Sequence, residues 1–135
     1  KYSECFYKLI NNCHQIEYLG PMSWKDVMNF YSDVYCVIVP SLWIENYPNT
    51  VLGSIANKTL VIGSNRRGIP ELISNKNQLF DIQNSTDLVR CLNWSYYLDE
   101  SEYISIVTKR YNYIRSNNSQ INYFKNLMNI YKTIK

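Results

Sequence analysis

The spacing of apolar residues along the chain changes between two periods, which predict helices and strands in alternation. Apolar positions three or four residues apart predict a helix over residues 1–13 and a second helix that begins after Ser23. Ser23 can cap the second helix, because Asp26 follows three residues later in a capping-box-like position. Short apolar runs predict strands at 34–39 and 59–63, a weaker strand at 78–82 and a short strand candidate at 14–19.

Helical patterning dominates the second half of the chain. Asn49 or Thr50 begins one helix, a short helical turn opens at Gly68, and Ser85-Thr86-Asp87 caps a helix that runs to about residue 97. Two further helices are predicted over about 100–115 and 119–134. The tyrosines and other apolar residues at 103–131 form helical stripes, which we expect to lie in the core or, in part, to pack on a separate N-terminal domain and leave an apolar patch exposed.

Strands that alternate with helices at this spacing predict an α/β fold with a doubly wound parallel sheet and a helical C-terminal tail. Residues 1–98 would form the sheet unit and residues 99–135 helices packed on it, in a single domain overall. Because the helix over 1–13 has no strand before it, we expect the sheet to be an N-terminally truncated half of a larger fold.

The composition of the chain argues against several classes of function. The chain has 135 residues, of which 46% are hydrophobic, and a formal net charge of +3. Apart from Arg66-Arg67, the Lys and Arg residues are scattered, which argues against nucleic-acid binding and gives no basic amphipathic helix clear enough to identify a membrane anchor. The longest apolar run, about seven residues, is far short of the ~20 needed to span a membrane. No signal peptide is visible, so we expect a cytoplasmic location.

The metal-ligating residue types do not cluster in the sequence. The four cysteines, at positions 5, 13, 36 and 91, form no Cys-x-x-Cys pair, and His14 is the single histidine. This spacing predicts no zinc site or other metal site, and it is typical of reduced thiols in a cytoplasmic protein.

The stretch from Pro40 to Ser54 carries the strongest functional pattern. It reads Pro-Ser-Leu-Trp-Ile-Glu-Asn-Tyr-Pro-Asn-Thr-Val-Leu-Gly-Ser and joins a predicted buried strand to a helix. Ligands of α/β sheets collect at the carboxyl ends of strands, where helix N-termini present N–H groups suited to phosphate. Glu45 can accept hydrogen bonds from sugar hydroxyls there, so the stretch predicts a site for a phosphorylated sugar compound.

Structural explanations of the same residues stay open. Glu45 could be a solvated loop carboxylate, and Arg66-Arg67 either a solvated pair or an anion anchor. Trp43 and Tyr47 could stack on a sugar or base, or pack beneath the loop. Ser41 has no histidine nearby in sequence and no Gly-x-Ser-x-Gly elbow, which argues against a hydrolase. A flavodoxin-like receiver or nucleotide domain is a weaker alternative, since the acidic cluster and glycine-rich first loop are missing.

An ordered series of short motifs over residues 15–98 resembles the C-terminal domain of group 1 (family 4) retaining glycosyltransferases. The form of the loop is similar to enzymes of surface-polysaccharide assembly. The resemblance is carried by Tyr18-Leu19-Gly20, Val37-Ile38-Val39-Pro40-Ser41, Glu45-Asn46-Tyr47-Pro48-Asn49-Thr50-Val51-Leu52, Val61-Ile62-Gly63-Ser64 and Gly68-Ile69-Pro70-Glu71-Leu72-Ile73.

The resemblance implies one half of a GT-B fold, in which a Rossmann-like domain holds a nucleotide-sugar such as a UDP- or GDP-hexose. It implies Glu45 as the catalytic-site carboxylate near the donor sugar, with no metal or other cofactor required. The turn that follows, with Asn46, Tyr47, Pro48, Asn49 and Thr50, would face the sugar and pyrophosphate through its backbone N–H groups. Gly53 and Arg67 complete the expected donor-binding set.

The chain departs from the family pattern at several of these positions. Gly53 stands where the family has a second Glu that binds ribose hydroxyls, and Arg67 replaces the first of two paired glycines. Lys58 and Leu60 replace a Gly and a Pro. We therefore keep a second hypothesis, a catalytically degenerate binding or scaffolding module of the same fold.

The resemblance also implies partners outside this sequence. The acceptor-binding N-terminal domain and the family's basic pair for the pyrophosphate would precede Lys1, so this chain alone is expected to be inactive. Peripheral membrane association of the full-length enzyme stays open.

Overall fold

The computed structural model describes residues 2–134 and, among them, every side chain but that of Tyr2. Within this range the chain forms seven α helices, three β strands and one 3-10 turn. In chain order these are α1 (Tyr2–Asn11), α2 (Trp24–Asp33), β1 (Cys36–Val39), α3 (Asn49–Ala56), β2 (Leu60–Ser64), α4 (Gly68–Leu72), the 3-10 turn Lys76–Gln78, β3 (Leu79–Phe80), α5 (Ser85–Tyr96), α6 (Glu100–Asn117) and α7 (Gln120–Thr133).

The three strands form one parallel sheet in the order β1-β2-β3. Cys36 pairs with Leu60 at one end of the β1–β2 ladder, and Gly63 pairs with Leu79 where β3 joins the other side of β2. Since all strands run the same way, their carboxyl ends lie at one edge of the sheet, and the loops that follow β1, β2 and β3 leave from that edge. This arrangement confirms the predicted α/β fold with a parallel sheet.

The central strand β2 shows why the sheet must be covered on both sides. All five of its residues are buried, and neighbouring side chains point to opposite faces. Val61 packs with Val51 and Ile69 from α3 and α4, whereas Ile62 packs with Cys91 from α5 on the other face. Each fully buried apolar side chain of this kind contributes roughly 1.5–3 kcal/mol relative to exposure, so the two-sided core holds the sheet in place.

Polar caps fix where several helices begin. The predicted Ser23 cap of α2 is confirmed, because its hydroxyl accepts a hydrogen bond from the Asp26 N–H. The predicted start of α5 is wrong by one residue. Asn84, rather than Ser85, caps this helix, since its side-chain oxygen accepts from the N–H groups of Thr86 and Asp87.

Helix α6 is tied to the end of α4 by Arg110. Its guanidinium donates to the main-chain carbonyl oxygens of Glu71 and Leu72 and lies over the Tyr113 ring, 4.6 Å from the ring centroid. The last carbonyls of a helix lack partners within the helix itself. Arg110 therefore caps the C-terminal end of α4 with a side chain from another helix.

The strand candidate at 14–19 is wrong. These residues are exposed and form no strand, because no neighbouring strand offers them a hydrogen-bonding ladder. The ring of Tyr18 packs edge-on against Phe6 and Tyr7 of α1 instead.

For the stripes at 103–131, the expectation of core packing is wrong for most of their length, and the expectation of an exposed apolar patch is confirmed. In α6 only Val107 is buried, and no residue of α7 is. Between residues 2 and 134, no helix is both long and apolar enough to cross a membrane.

Candidate functional site

Two loops meet at the carboxyl edge of the sheet. One comprises residues 40–48 between β1 and α3, and the other residues 65–67 between β2 and α4. The Gly68 N–H donates to the Glu45 carbonyl oxygen at 2.9 Å, and the Ser64 hydroxyl donates to the Ser41 carbonyl oxygen at 2.9 Å. The Arg66 guanidinium donates to the Leu42 carbonyl oxygen at 3.3 Å. These bonds fix the first loop against the second.

The close approach of the two loops depends on Gly68. A Cβ atom at this position would overlap the Asn46 carbonyl group and would lie 2.7 Å from the Glu45 carbonyl oxygen. No side chain fits into that space, so the start of α4 can touch the first loop only through glycine. The first residue of the sequence Gly-Ile-Pro-Glu must therefore be glycine for steric reasons.

The Glu45 carboxylate is positioned by its own loop. The Ser41 hydroxyl donates to Glu45 Oε1 at 3.1 Å, and the residue is half-buried. Among the described residues no group hydrogen-bonds to Glu45 Oε2, and no cation forms an ion pair with this carboxylate. A carboxylate held by one hydroxyl keeps acceptor capacity for the hydroxyl groups of a ligand.

The loops that follow all three strands line one open cleft of about 500 Å³. Two arginines bring positive charge into it and Asp81 brings one negative charge, which leaves the cleft with a positive surplus. Sequence reasoning singled out the two arginines but missed the other lining residues, whose signal was their position directly after a strand. The lining comprises Ile44, Asn65, Arg66, Arg67, Asp81 and Ile82.

Arg67 has an unusual backbone conformation. It has φ 40° and ψ −113° at the position directly before α4, where a glycine would be unstrained. Strained non-glycine residues cost of order 1–3 kcal/mol and cluster at functional sites. The predicted donor-binding residue Arg67 therefore lies in the cleft on a backbone that the fold holds against its preference.

The start of α3 leaves backbone donors available. Pro48 occupies the N-cap position, and no side chain caps the helix. The prediction that Asn49 or Thr50 begins this helix is confirmed, since α3 starts at Asn49. N–H groups of an uncapped first turn can bind an anion, and the helix dipole favours negative charge there.

The two aromatic residues that flank Glu45 behave differently. Trp43 is 82% exposed, which excludes packing beneath the loop. Tyr47 lies near Arg110, Glu71 and Tyr113, and burial raises its pKa while the Arg110 charge lowers it. Tyr47 thus faces α4 and α6 and does not line the cleft.

Gly53 lies one turn inside α3 and is buried against α2. A Cβ atom there would lie 2.9 Å from the Tyr31 ring and 3.2 Å from Met28 Sδ. The backbones of Glu45 and Asn46 contact Gly68, the residue that follows Arg67, whereas Gly53 lies in the α2–α3 contact.

Cys36 and Cys91, the two cysteines in or beside the sheet, give no alternative chemical centre. All four thiols are free, and burial raises the pKa of Cys36 to about 11 and also raises that of Cys91. Both side chains therefore stay protonated and unreactive near neutral pH. Nowhere in residues 2–134 do three His, Cys, Asp or Glu side chains come close enough to hold a metal ion.

Comparison with known proteins identifies the family. A sequence model of the family described as "Glycosyl transferases group 1" matches residues 1–109, which include the whole sheet and the three loops that line the cleft. No curated protein and no solved structure gives a significant match. Because the matched segment covers most of the 135 residues, the chain belongs to the group 1 glycosyltransferases.

Proposed function

We propose that this chain binds the nucleotide-sugar donor of a retaining, family 4 glycosyltransferase that moves a hexose from a UDP- or GDP-sugar to a glycan acceptor. Group 1 membership supports glycosyl transfer as the chemistry. The observation that carries the donor-binding role is the Gly68–Glu45 backbone bond, which joins the loop of the Glu45 carboxylate to the loop of the two arginines.

The cleft and the adjoining loop offer complementary groups to the two halves of such a donor. The diphosphate would lie between the arginines and the first-turn N–H groups of α3, where cations and oriented amides stabilise negative charge. The sugar would lie at Glu45, whose free carboxylate oxygen accepts hydrogen bonds from hydroxyls. During transfer the same cations and amides would stabilise the charge that develops on the leaving diphosphate.

Surface-polysaccharide synthesis is the pathway class we propose, on the form of the loop from Trp43 to Asn49. The acceptor would be bound by a separate N-terminal domain. Accordingly, this chain mixed with a donor and an oligosaccharide acceptor should release no transfer product, and steady turnover in that mixture would contradict the division of roles.

Calorimetric titration tests the donor site with paired ligands. UDP and GDP contain only the nucleotide part, whereas UDP-glucose and GDP-mannose add the sugar. We expect saturable binding of at least one pair. Replacement Arg67→Gln should weaken both members of that pair about tenfold, because one charge-assisted contact to phosphate is lost. Replacement Glu45→Gln should weaken only the nucleotide-sugar, because the carboxylate is assigned to the sugar.

The control is Lys76→Gln, which removes the same charge from a residue outside the cleft. It should bind like the unmodified chain. If Glu45→Gln weakens UDP and UDP-glucose equally, the assignment of the carboxylate to the sugar is wrong. If no heat is released at millimolar nucleotide, the scaffolding hypothesis replaces donor binding.

A further inference from the structure

A cavity of about 880 Å³ lies between the end of α4, the 3-10 turn and α6. This volume is typical of small-molecule sites, which occupy roughly 300–1,000 Å³. Asn75 and Ile106 also line a neighbouring space of about 430 Å³, so the two spaces form one groove along α6, from Tyr113 back to Glu102. On a helix these two residues are about 16 Å apart, which is longer than a single sugar ring. This feature, which we call the α6 groove, shares no residue with the cleft at the carboxyl edge of the sheet.

Gln78 supplies an unpartnered hydrogen-bond acceptor to the α6 groove. The residue is 8% exposed, and its amide nitrogen donates to the Val61 carbonyl oxygen at 2.7 Å. Within residues 2–134 its side-chain oxygen accepts no hydrogen bond, and every polar side-chain atom that is fully buried there has a partner. The oxygen is therefore not fully buried but opens onto the space that Gln78, Ile106 and Arg110 line. An acceptor with so little access to solvent favours a ligand that donates a hydrogen bond to it, as a hydroxyl group does.

Positive charge dominates the part of the groove near Tyr113. The cations that line this part are Lys76, Lys109 and Arg110. Glu71 contributes the single carboxylate of its lining. Arg110 donates to carbonyl oxygens at the end of α4, but neither lysine forms an ion pair within the described chain. Both ammonium groups are therefore available to an anion, and charge-assisted hydrogen bonds of this kind are stronger than neutral ones.

The part of the groove near Glu102 offers hydrogen-bonding groups and no cation. Asn75 uses its side-chain oxygen to accept from the Asn77 N–H at 3.0 Å, which leaves the two N–H donors of its amide free within the described chain. Trp94 is half-buried beside these groups and combines a flat apolar face with one N–H donor. The Glu102 carboxylate accepts hydrogen bonds from hydroxyl groups but repels an anion. An uncharged sugar ring matches this surface, because its faces are apolar and its edge carries hydroxyl groups.

We propose that the α6 groove binds an acidic glycan, with a negatively charged sugar near Lys109 and a neutral sugar near Trp94. The charge of the first part selects an anion, Gln78 favours a donor such as a hydroxyl group, and the length of the groove admits more than one ring. A carbohydrate with acidic substituents combines these three properties. The proposal does not depend on the donor site, because no residue of the cleft lines the groove.

Calorimetric titration of the 135-residue chain tests the proposal. The probe is a hyaluronan tetrasaccharide, in which glucuronic acid alternates with N-acetylglucosamine. We expect saturable binding that is at least about tenfold tighter than that of chitotetraose, which has N-acetylglucosamine at every position and no charge. Glucuronic acid alone should also bind at least about tenfold more weakly than the tetrasaccharide, because it occupies only one part of the groove.

Two replacements test the residues of the groove. Lys109→Gln should weaken binding of the tetrasaccharide about tenfold, because one charge-assisted contact is lost. Gln78→Met should weaken it by a similar factor, because the acceptor is lost, and urea denaturation shows whether this variant keeps the fold. If Gln78→Met does not fold, Lys109→Gln still decides the matter, since Lys109 is exposed.

The matched control is Lys125→Gln, which makes the same charge change on an exposed residue of α7 outside the groove. This variant and Arg67→Gln, which alters the donor cleft, should both bind the tetrasaccharide like the unmodified chain. Equal binding of chitotetraose or of glucuronic acid, equal losses in Lys109→Gln and Lys125→Gln, or no saturable binding of the tetrasaccharide would overturn the proposal. Loss of tetrasaccharide binding in Arg67→Gln would also overturn it, by placing the glycan in the cleft.

Discussion

Arg67 and Gly68 are adjacent residues that differ in how the loop constrains them. Gly68 is needed for space, because any Cβ would overlap the Asn46 carbonyl oxygen. Arg67 instead has a backbone conformation suited to glycine and nevertheless carries a long charged side chain into the cleft. The sequence alone identified both residues from their place in a motif. It could not distinguish the steric role of Gly68 from the strained conformation of Arg67, since an amino-acid sequence does not give φ angles.

Replacement Arg67→Gly separates strain from ligand binding. We expect the free energy of unfolding to rise by up to about 1 kcal/mol, because glycine adopts φ 40° without penalty, although glycine also gains entropy in the unfolded chain. The affinity for a nucleoside diphosphate should fall about tenfold in the same variant. Urea denaturation and calorimetric titration measure the two effects.

The matched variant Arg67→Ala removes the guanidinium but keeps a Cβ and therefore the strain. It should lose the same affinity without the gain in stability. If Arg67→Gly is less stable than Arg67→Ala, the strained conformation is not what limits this loop.

At the scale of elements, strongly periodic segments were predicted well and isolated ones were not. The strands β1 and β2 and the long helices lie within about two residues of their predicted bounds, because burial on both faces or on one stripe leaves a clear pattern. The candidate at 14–19 failed because a strand needs a neighbour, which local sequence does not reveal. The position of Gly53 was equally hidden, since the pattern of α3 does not say which helix packs on it.

Replacement Gly53→Glu tests the α2–α3 contact. A Cβ atom at this buried site would lie 2.9 Å from the Tyr31 ring and 3.2 Å from Met28 Sδ, so a larger side chain overpacks the contact. We expect the free energy of unfolding to fall by at least about 2 kcal/mol, measured by chemical denaturation.

The double variant Gly53→Glu/Tyr31→Ala is the control for contact between the two positions. Removal of the Tyr31 ring opens space for the new side chain. Tyr31→Ala should therefore cost less stability when Gly53→Glu is already present than it costs in the unmodified chain. Additive losses would show that the two positions are not in contact.

For the whole molecule, stability comes from a small three-layer core, whereas the two ends of the chain add exposed surface. The amphipathic periodicity of α6 and α7 predicted that their apolar stripes pack against other residues. It could not show that residues 2–134 leave most of these stripes exposed. The fold class followed from the order of elements. The sequence did not predict that the three loops line one cleft, because this depends on the order and register of the strands.

Ending the chain at Asn118 tests how far α7 contributes to the fold. Because no residue of α7 is buried, we expect the shortened chain to keep its helical and sheet signals and to melt within a few degrees of the full chain. The matched truncation at Leu98 also removes α6 with the buried Val107 and with Arg110, and it should unfold. If the chain ending at Asn118 also unfolds, α7 belongs to the cooperative core.

Helix α4, the shortest α helix in residues 2–134, is held by a neighbour at each end. At its start the Gly68 N–H binds the Glu45 carbonyl oxygen, and at its finish Arg110 binds the carbonyl oxygens of Glu71 and Leu72. Five residues form too little helix to be stable in isolation, so these outside bonds determine where the segment lies. Helix α4 therefore connects α6 to the loop that carries Glu45, through side-chain bonds at one end and a backbone bond at the other.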